Sequence, residues 1–177
     1  MIDRSDPELA AEGGRGNAAA LAEILRRHQG GVRGFLRRAC GDSSLADDLA
    51  QDTFLTAFTR LAAYRGEASL RAWLCGIAFH KLRESRRGAG RRALREGKAT
   101  SIAATADDPR GRAERRLDVE AAFETLSLDQ KAAAALCLAS DWSHSEAAAA
   151  LGIPLGTLKS RLASAKAVLV KSLEAYR

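Results

Sequence analysis

The apolar side chains Leu21, Leu25, Val32, Phe35 and Ala39, with His28 among them, recur at helical spacings, and the same periodicity continues nearly throughout the chain. Such spacing places one face of a helix against a core, so the sequence predicts an all-α protein. Gly30 and Gly31 weaken the middle of the first helix. Gly41-Asp42-Ser43-Ser44 breaks the pattern, and Ser44 with Asp47 suggests a capping-box-like start for a second helix striped by Leu45, Leu49, Phe54, Phe58 and Leu61. After the loop Tyr64–Ala68, Ser69 caps a third helix carrying Leu70, Trp73, Leu74, Ile77 and Ala78, which turns basic through Lys81, Arg83, Arg86 and Arg87.

From Gly88 to about Arg112 periodicity gives way to Gly, Ala, Arg and Thr and then Asp107-Asp108-Pro109, the composition of a flexible linker. Helical spacing resumes at Leu117–Leu126, and capping boxes follow at Ser127/Gln130 and Ser143/Glu146. Gly152-Ile153-Pro154 then stops the chain before a last helix with Leu158, Leu162, Ala165 and Leu169, so helix, Gly-containing turn and helix make a helix-turn-helix pattern. The expected organisation is an N-terminal tail (1–17), a helical domain (18–88), a linker (89–112) and a second helical domain (113–177).

Charge narrows the function. Lys and Arg number 28 against 22 acidic residues, a net +6 that favours a polyanionic partner. Aromatics make up only 5% of the residues, which argues against a basic membrane-surface helix, and no apolar run approaches membrane-spanning length. The polar start, Met1 to Glu8, is unlike a secretory signal, so a cytoplasmic location is expected. Cys40, Cys75 and Cys137 lack metal-ligand spacing, His28, His80 and His144 are scattered, and no nucleophilic constellation stands out. Neither an enzyme nor a metal or cofactor site is expected.

With Leu158 pointing inward, Ser160, Ala163, Ser164 and Ala167 fall on the opposite face of the last helix, flanked by Lys159 and Lys166, with Arg161 nearer the core seam. That face suits a major groove, small side chains approaching base edges and cations reaching phosphates; an ordinary solvated face has the same appearance. Asp47, Asp48, Gln51 and Asp52 read equally as a helix start favoured by the dipole, and Trp73 as a core aromatic. The run Arg86, Arg87, Arg91, Arg92, Arg95 and Lys98, opposed only by Glu96, favours phosphate contact.

Two blocks carry a resemblance. Leu45–Phe54 with Tyr64–Leu74 is similar to region 2, and Leu126–Leu169 with Gly152–Leu162 is similar to region 4, of the extracytoplasmic-function bacterial sigma factors of the sigma-70 family. The resemblance implies an alternative sigma factor that binds core RNA polymerase and directs promoter recognition, melting and transcription initiation. Asp48, Leu49, Gln51, Asp52 and Leu55 would dock on the β′ clamp helices, and region 4 on the β flap. Tyr64, Arg65, His80, Lys81, Glu84 and Arg87 would hold the melted minus-10 element, and Thr157, Lys159, Ser160, Arg161, Ala163, Ser164 and Lys166 the minus-35 element. It further implies an anti-sigma factor as partner and a linker threaded near the polymerase active centre. Three departures from the family pattern stand out: His80 stands at a base-reading position commonly occupied by Asn, which implies a different base preference; Ala163 and Ser164 replace larger groups; and Ala147–Ala150 replaces bulkier apolar residues, implying lighter packing. The rival reading is a helix-turn-helix regulator that binds duplex DNA without polymerase.

Overall fold

The computed structural model describes residues 4–95, 121–140 and 142–174, and all regular structure in them is helical. Seven α-helices follow in order: α1 (Asp6–Gly14), α2 (Ala18–Cys40), α3 (Ser43–Arg60), α4 (Leu70–Arg95), α5 (Leu128–Cys137), α6 (His144–Leu151) and α7 (Leu155–Glu174), with a 3-10 turn at Leu61–Ala63. Residues 121–124 form the described end of a further helical stretch.

The first four helices make one bundle. Residues 6–14, expected within a tail, form a helix instead, because Pro7 stands in its first turn and Glu8 reaches back to the Ser5 amide and hydroxyl at 2.7 Å. Leu9, Ala10 and Gly13 anchor it on α2 and the 3-10 turn. Helix α2 begins where the Asn17 side chain accepts the Ala19 and Ala20 amides, and it runs unbroken through Gly30 and Gly31. It buries Ile24, Val32, Phe35 and Leu36 and ends on Gly41, whose φ of 72° is open to glycine without strain. Helix α3 is capped by Asp42, not Ser44: the Asp42 carboxylate accepts the Leu45 amide at 3.0 Å. The Ser69 hydroxyl accepts the Ala72 amide at 3.2 Å, as expected at the start of α4. That helix continues past Gly88 to Arg95, into the stretch expected as linker. Most of the expected linker, with Lys98, lies outside the described residues.

The described second half comprises α5, α6 and α7 together with the helical end at 121–124. Both expected capping boxes are present, Ser127 with Gln130 and Ser143 with Glu146, and α6 ends on Gly152 at φ 63° before the turn into α7. Lys131 is buried and reaches the Glu124 carboxylate at 2.6 Å. A small cluster of Leu126, Ala134 and Ala165 belongs to this half alone.

The two halves pack on each other, α5 against α2 and α6 against α4. Buried residues of α5 and α6, including Ala132, Leu136, Ala147 and Leu151, are therefore continuous with the core of the first bundle. The alanine run of α6, expected to pack lightly, serves this approach: Ala147, Ala148 and Ala150 are buried, and a Cβ placed on Gly76 of α4 would stand 3.0 Å from the Ala150 carbonyl oxygen. Small residues on both sides let the two backbones come close.

Candidate polymerase and promoter interfaces

On the α2–α3 side a groove of about 350 Å³ is lined by Leu25, Arg33, Gln51, Phe54, Leu55 and Phe58, among others. Leu55 is 59% and Leu25 37% exposed, so two large apolar side chains face solvent across one groove. Asp47 and Gln51 also line it, giving the apolar floor an acidic, amide-bearing rim, and Asp48 and Asp52 are exposed on the same helix, α3. Leu49 is different. Only 6% exposed, it lies in the core and supports α3 from beneath. Asp47 is tied to Arg33 at 3.0 Å and Arg37 at 3.3 Å, which fixes the start of α3 against α2. Leu25 and Phe58 were legible only as core-stripe residues, since helical spacing does not reveal that the stripe is left partly uncovered.

At the far end of α3 the chain turns into the loop before α4. The half-buried Tyr64 packs its ring against Trp73, centroids 5.4 Å apart, and its hydroxyl donates to the Ala68 carbonyl at 2.6 Å. Burial pushes the phenol above its ordinary range, with the negative charge of Asp6 adding to the shift. Tyr64 thereby braces the loop from inside, while Arg65 at its tip is exposed. Along α4, His80, Glu84 and Arg87 are exposed one turn apart, on a single face, and Lys81 is half-buried beside them. Arg86 of the basic run donates to the Cys40 carbonyl at 2.8 Å, clamping α4 to the end of α2. Arg91 is exposed; the side chains of Arg92, Arg95 and Lys98 lie outside the described residues.

In the second half, Leu158, Leu162 and Ala165 are buried, and Lys159, Ser160, Ala163, Ser164 and Lys166 are all exposed on α7. The outward face thus joins small side chains to two lysines. Thr157 is half-buried, and its carbonyl accepts the Ser160 hydroxyl at 2.9 Å. Arg161 does not share the open face in the same way. It is 27% exposed, and its guanidinium lies 2.8 Å from the Asp129 carboxylate of α5.

The family follows from two matches that coincide with these two halves. The family model for sigma-70 region 2 covers residues 24–92, and that for sigma-70 region 4 covers residues 116–169. The chain is 31% identical over 173 residues to the ECF RNA polymerase sigma factor SigC of Mycobacterium tuberculosis, covering 97% of this chain and 93% of that protein. The chain belongs to the ECF group of the sigma-70 family. As an alternative sigma factor it directs transcription initiation. Other relatives are similar over comparable lengths. The RNA polymerase sigma factor NccH of Alcaligenes xylosoxydans xylosoxydans is 29% identical over 98% of both chains. The ECF sigma factor EcfG of Rhodopseudomonas palustris is 34% identical over 78% of this chain and 76% of its own. Among solved structures, the fold resembles the sigma factor RpoE of Bartonella quintana in complex with the anti-sigma factor NepR, with TM-score 0.74, 29% identity, and 88% of this chain and 98% of that one covered. It also resembles CnrH in complex with the cytosolic domain of CnrY, with TM-score 0.71, 27% identity, and 97% and 99% covered.

In sigma terms, the groove and the Tyr64 loop belong to region 2 and α7 to region 4. Among the described residues no helix is long and apolar enough to cross a membrane.

Proposed function

We propose that this sigma factor docks on core polymerase through the α2–α3 groove and its acidic rim, and reads a bipartite promoter with α4 and α7. The observation that carries the reading is the pairing, in one chain, of an uncovered apolar groove at Leu25 and Leu55 with an uncovered lysine-flanked face on a helix-turn-helix. A clamp helix laid in the groove would bury Leu55 and Leu25, while Asp48, Gln51 and Asp52 meet polar and cationic groups around it. Region 4 would take the β flap.

The Tyr64–Ser69 loop, with Arg65 at its tip, and the face of His80, Glu84 and Arg87 hold the melted minus-10 strand; binding of unstacked bases supplies the energy of opening. Lys81 adds a cation at the edge of that face. Helix α7 enters the major groove of the minus-35 element, Lys159 and Lys166 on phosphates, Ser160, Ala163 and Ser164 toward base edges, Thr157 at the entering end. The small side chains at Ala163 and Ser164 make groove shape a large part of the readout. The protein works in the cytoplasm without catalysis of its own. The relatives seen with NepR and CnrY support an anti-sigma factor as its regulator, covering the groove that polymerase needs.

In vitro transcription from a genomic fragment library tests this. Core polymerase with the chain yields transcripts from discrete start sites absent with core alone; no such transcripts would overturn the reading. Replacing His80 by Asn changes base preference in the minus-10 element, and an unchanged preference removes His80 from the interface.

A further inference from the structure

Arg71 stands in the first turn of α4, directly after the Tyr64–Ser69 loop, yet its guanidinium is turned toward region 4. It lies 4.1 Å from the centroid of the Trp142 ring and 3.5 Å from the Glu146 carboxylate. These contacts bridge the same α4–α6 approach in which Gly76 meets the Ala150 carbonyl.

That packed arrangement is incompatible with a bipartite promoter. A compact chain of this length has a radius of gyration of ~16 Å, hence a diameter on the order of 40 Å. Elements about 25 base pairs apart lie ~85 Å from one another at 3.4 Å per step. The α4–α6 and α2–α5 packing must therefore part before both elements are engaged. The Arg71 contacts suit such parting, because the ion pair to Glu146 is half-exposed and the guanidinium over the largely buried Trp142 ring is itself open to solvent, so each holds weakly. When they break, a cation is released beside the loop that receives the melted strand. The partners it leaves are an anionic carboxylate and a flat aromatic face, the chemistry that a backbone phosphate and an unstacked base offer in turn.

We propose that Arg71 is a promoter contact held in reserve: paired with Trp142 and Glu146 in the compact chain, it moves to a backbone phosphate of the melted strand once the two halves separate. The inference rests on the promoter-binding reading above. It makes Arg71 both a latch between the halves and a DNA ligand, and the two roles separate experimentally.

Gly76→Leu opens the interface without touching Arg71, since any side chain there meets the α6 backbone. Because Gly76 lies one turn before His80, Trp142→Ala serves as a second opening variant, made from the region 4 side. Small-angle scattering of the free full-length chain reads the latch: the radius of gyration rises in Gly76→Leu and Trp142→Ala, and by a smaller step in Arg71→Ala. Promoter binding by holoenzyme as a function of salt reads the DNA role. Adding Arg71→Ala to either opened chain lowers affinity several-fold at low salt and reduces the log–log salt slope by about 1. If Arg71→Ala leaves both slope and affinity of the opened chains unchanged, the DNA role is overturned; if it leaves the radius of the otherwise unaltered chain unchanged, the latch is. Should the unaltered holoenzyme select no promoter, the functional reading and the DNA role fail together, while the radius still decides the latch.

Discussion

The guanidinium of Arg161 on α7 sits 2.8 Å from the carboxylate of Asp129 in the first turn of α5, with both side chains about a third exposed or less. Asp129 is well placed for the positive end of α5, and Arg161 ties α7 to it. Lys159 and Lys166 are exposed and face outward.

The two cations of α7 should therefore fail differently. Lys159→Ala weakens promoter binding across sequences and lowers the salt slope by about 1. Arg161→Ala leaves the slope nearly unchanged and instead costs about 0.5–1 kcal/mol of stability through the lost pair and stem packing. Chemical denaturation alongside salt titration of holoenzyme binding separates them; equal slope changes for both would place Arg161 on the DNA.

The helical glycines divide according to what surrounds them. Gly30 and Gly31 are exposed in mid-α2, and a Cβ on either meets nothing within 4 Å. Gly30→Ala should raise stability by about 0.5–1 kcal/mol, through the greater freedom glycine loses on folding. At Gly14 an added Cβ would stand 3.1 Å from the Ala62 backbone, so Gly14→Ala should lower stability by pushing α1 off the 3-10 turn. Thermal melts of the two variants should move in opposite directions, and a shared direction contradicts the packing described for α1.

Much of this architecture was legible. The capping boxes at Ser127 and Ser143 and the inward stripe of α7 were readable because each is a local pattern, set within four residues or by a fixed period. The candidate polymerase and promoter surfaces were legible chiefly through resemblance: by chemistry alone Asp48, Gln51 and Asp52 are equally a helix start. The cap at Asp42 was misplaced by two residues because Asp42, Ser43 and Ser44 are all competent caps. Helix α4 outlasts Gly88 and Gly90 because the arginines and alanines around them are good helix formers, outweighing about 1 kcal/mol per glycine. Packing of α6 on α4 had no sequence signal: a run of alanines says that a helix can be approached closely, not by what.

Acid should loosen the region 4 cap. Hydrogen bonds from the Ser143 hydroxyl, at 2.8 Å, and amide, at 3.1 Å, hold the Glu146 carboxyl below its ordinary 4.5, with Arg71 adding to the effect. A carboxylate with a depressed folded pKa contributes stability that is intact above the unfolded pKa and lost as pH falls through the folded one. Glu146→Gln keeps a capping-box partner and removes the titration. Melting temperature between pH 7 and pH 3 should fall more steeply below about pH 4.5 in the parent chain than in the variant; parallel curves would show that Glu146 carries no part of the acid sensitivity.

Leu55 is the most direct probe of docking between the α2–α3 groove and polymerase, since a side chain 59% exposed can be changed with little effect on folding. The measurement is the dissociation constant of the chain for core polymerase, compared with that of Leu55→Glu after matched thermal melts. Specific binding by the parent chain is expected, with a loss of about tenfold, ~1.4 kcal/mol, in the variant. Equal affinity of the two chains, or no association of the parent chain with core enzyme, would contradict docking through this groove.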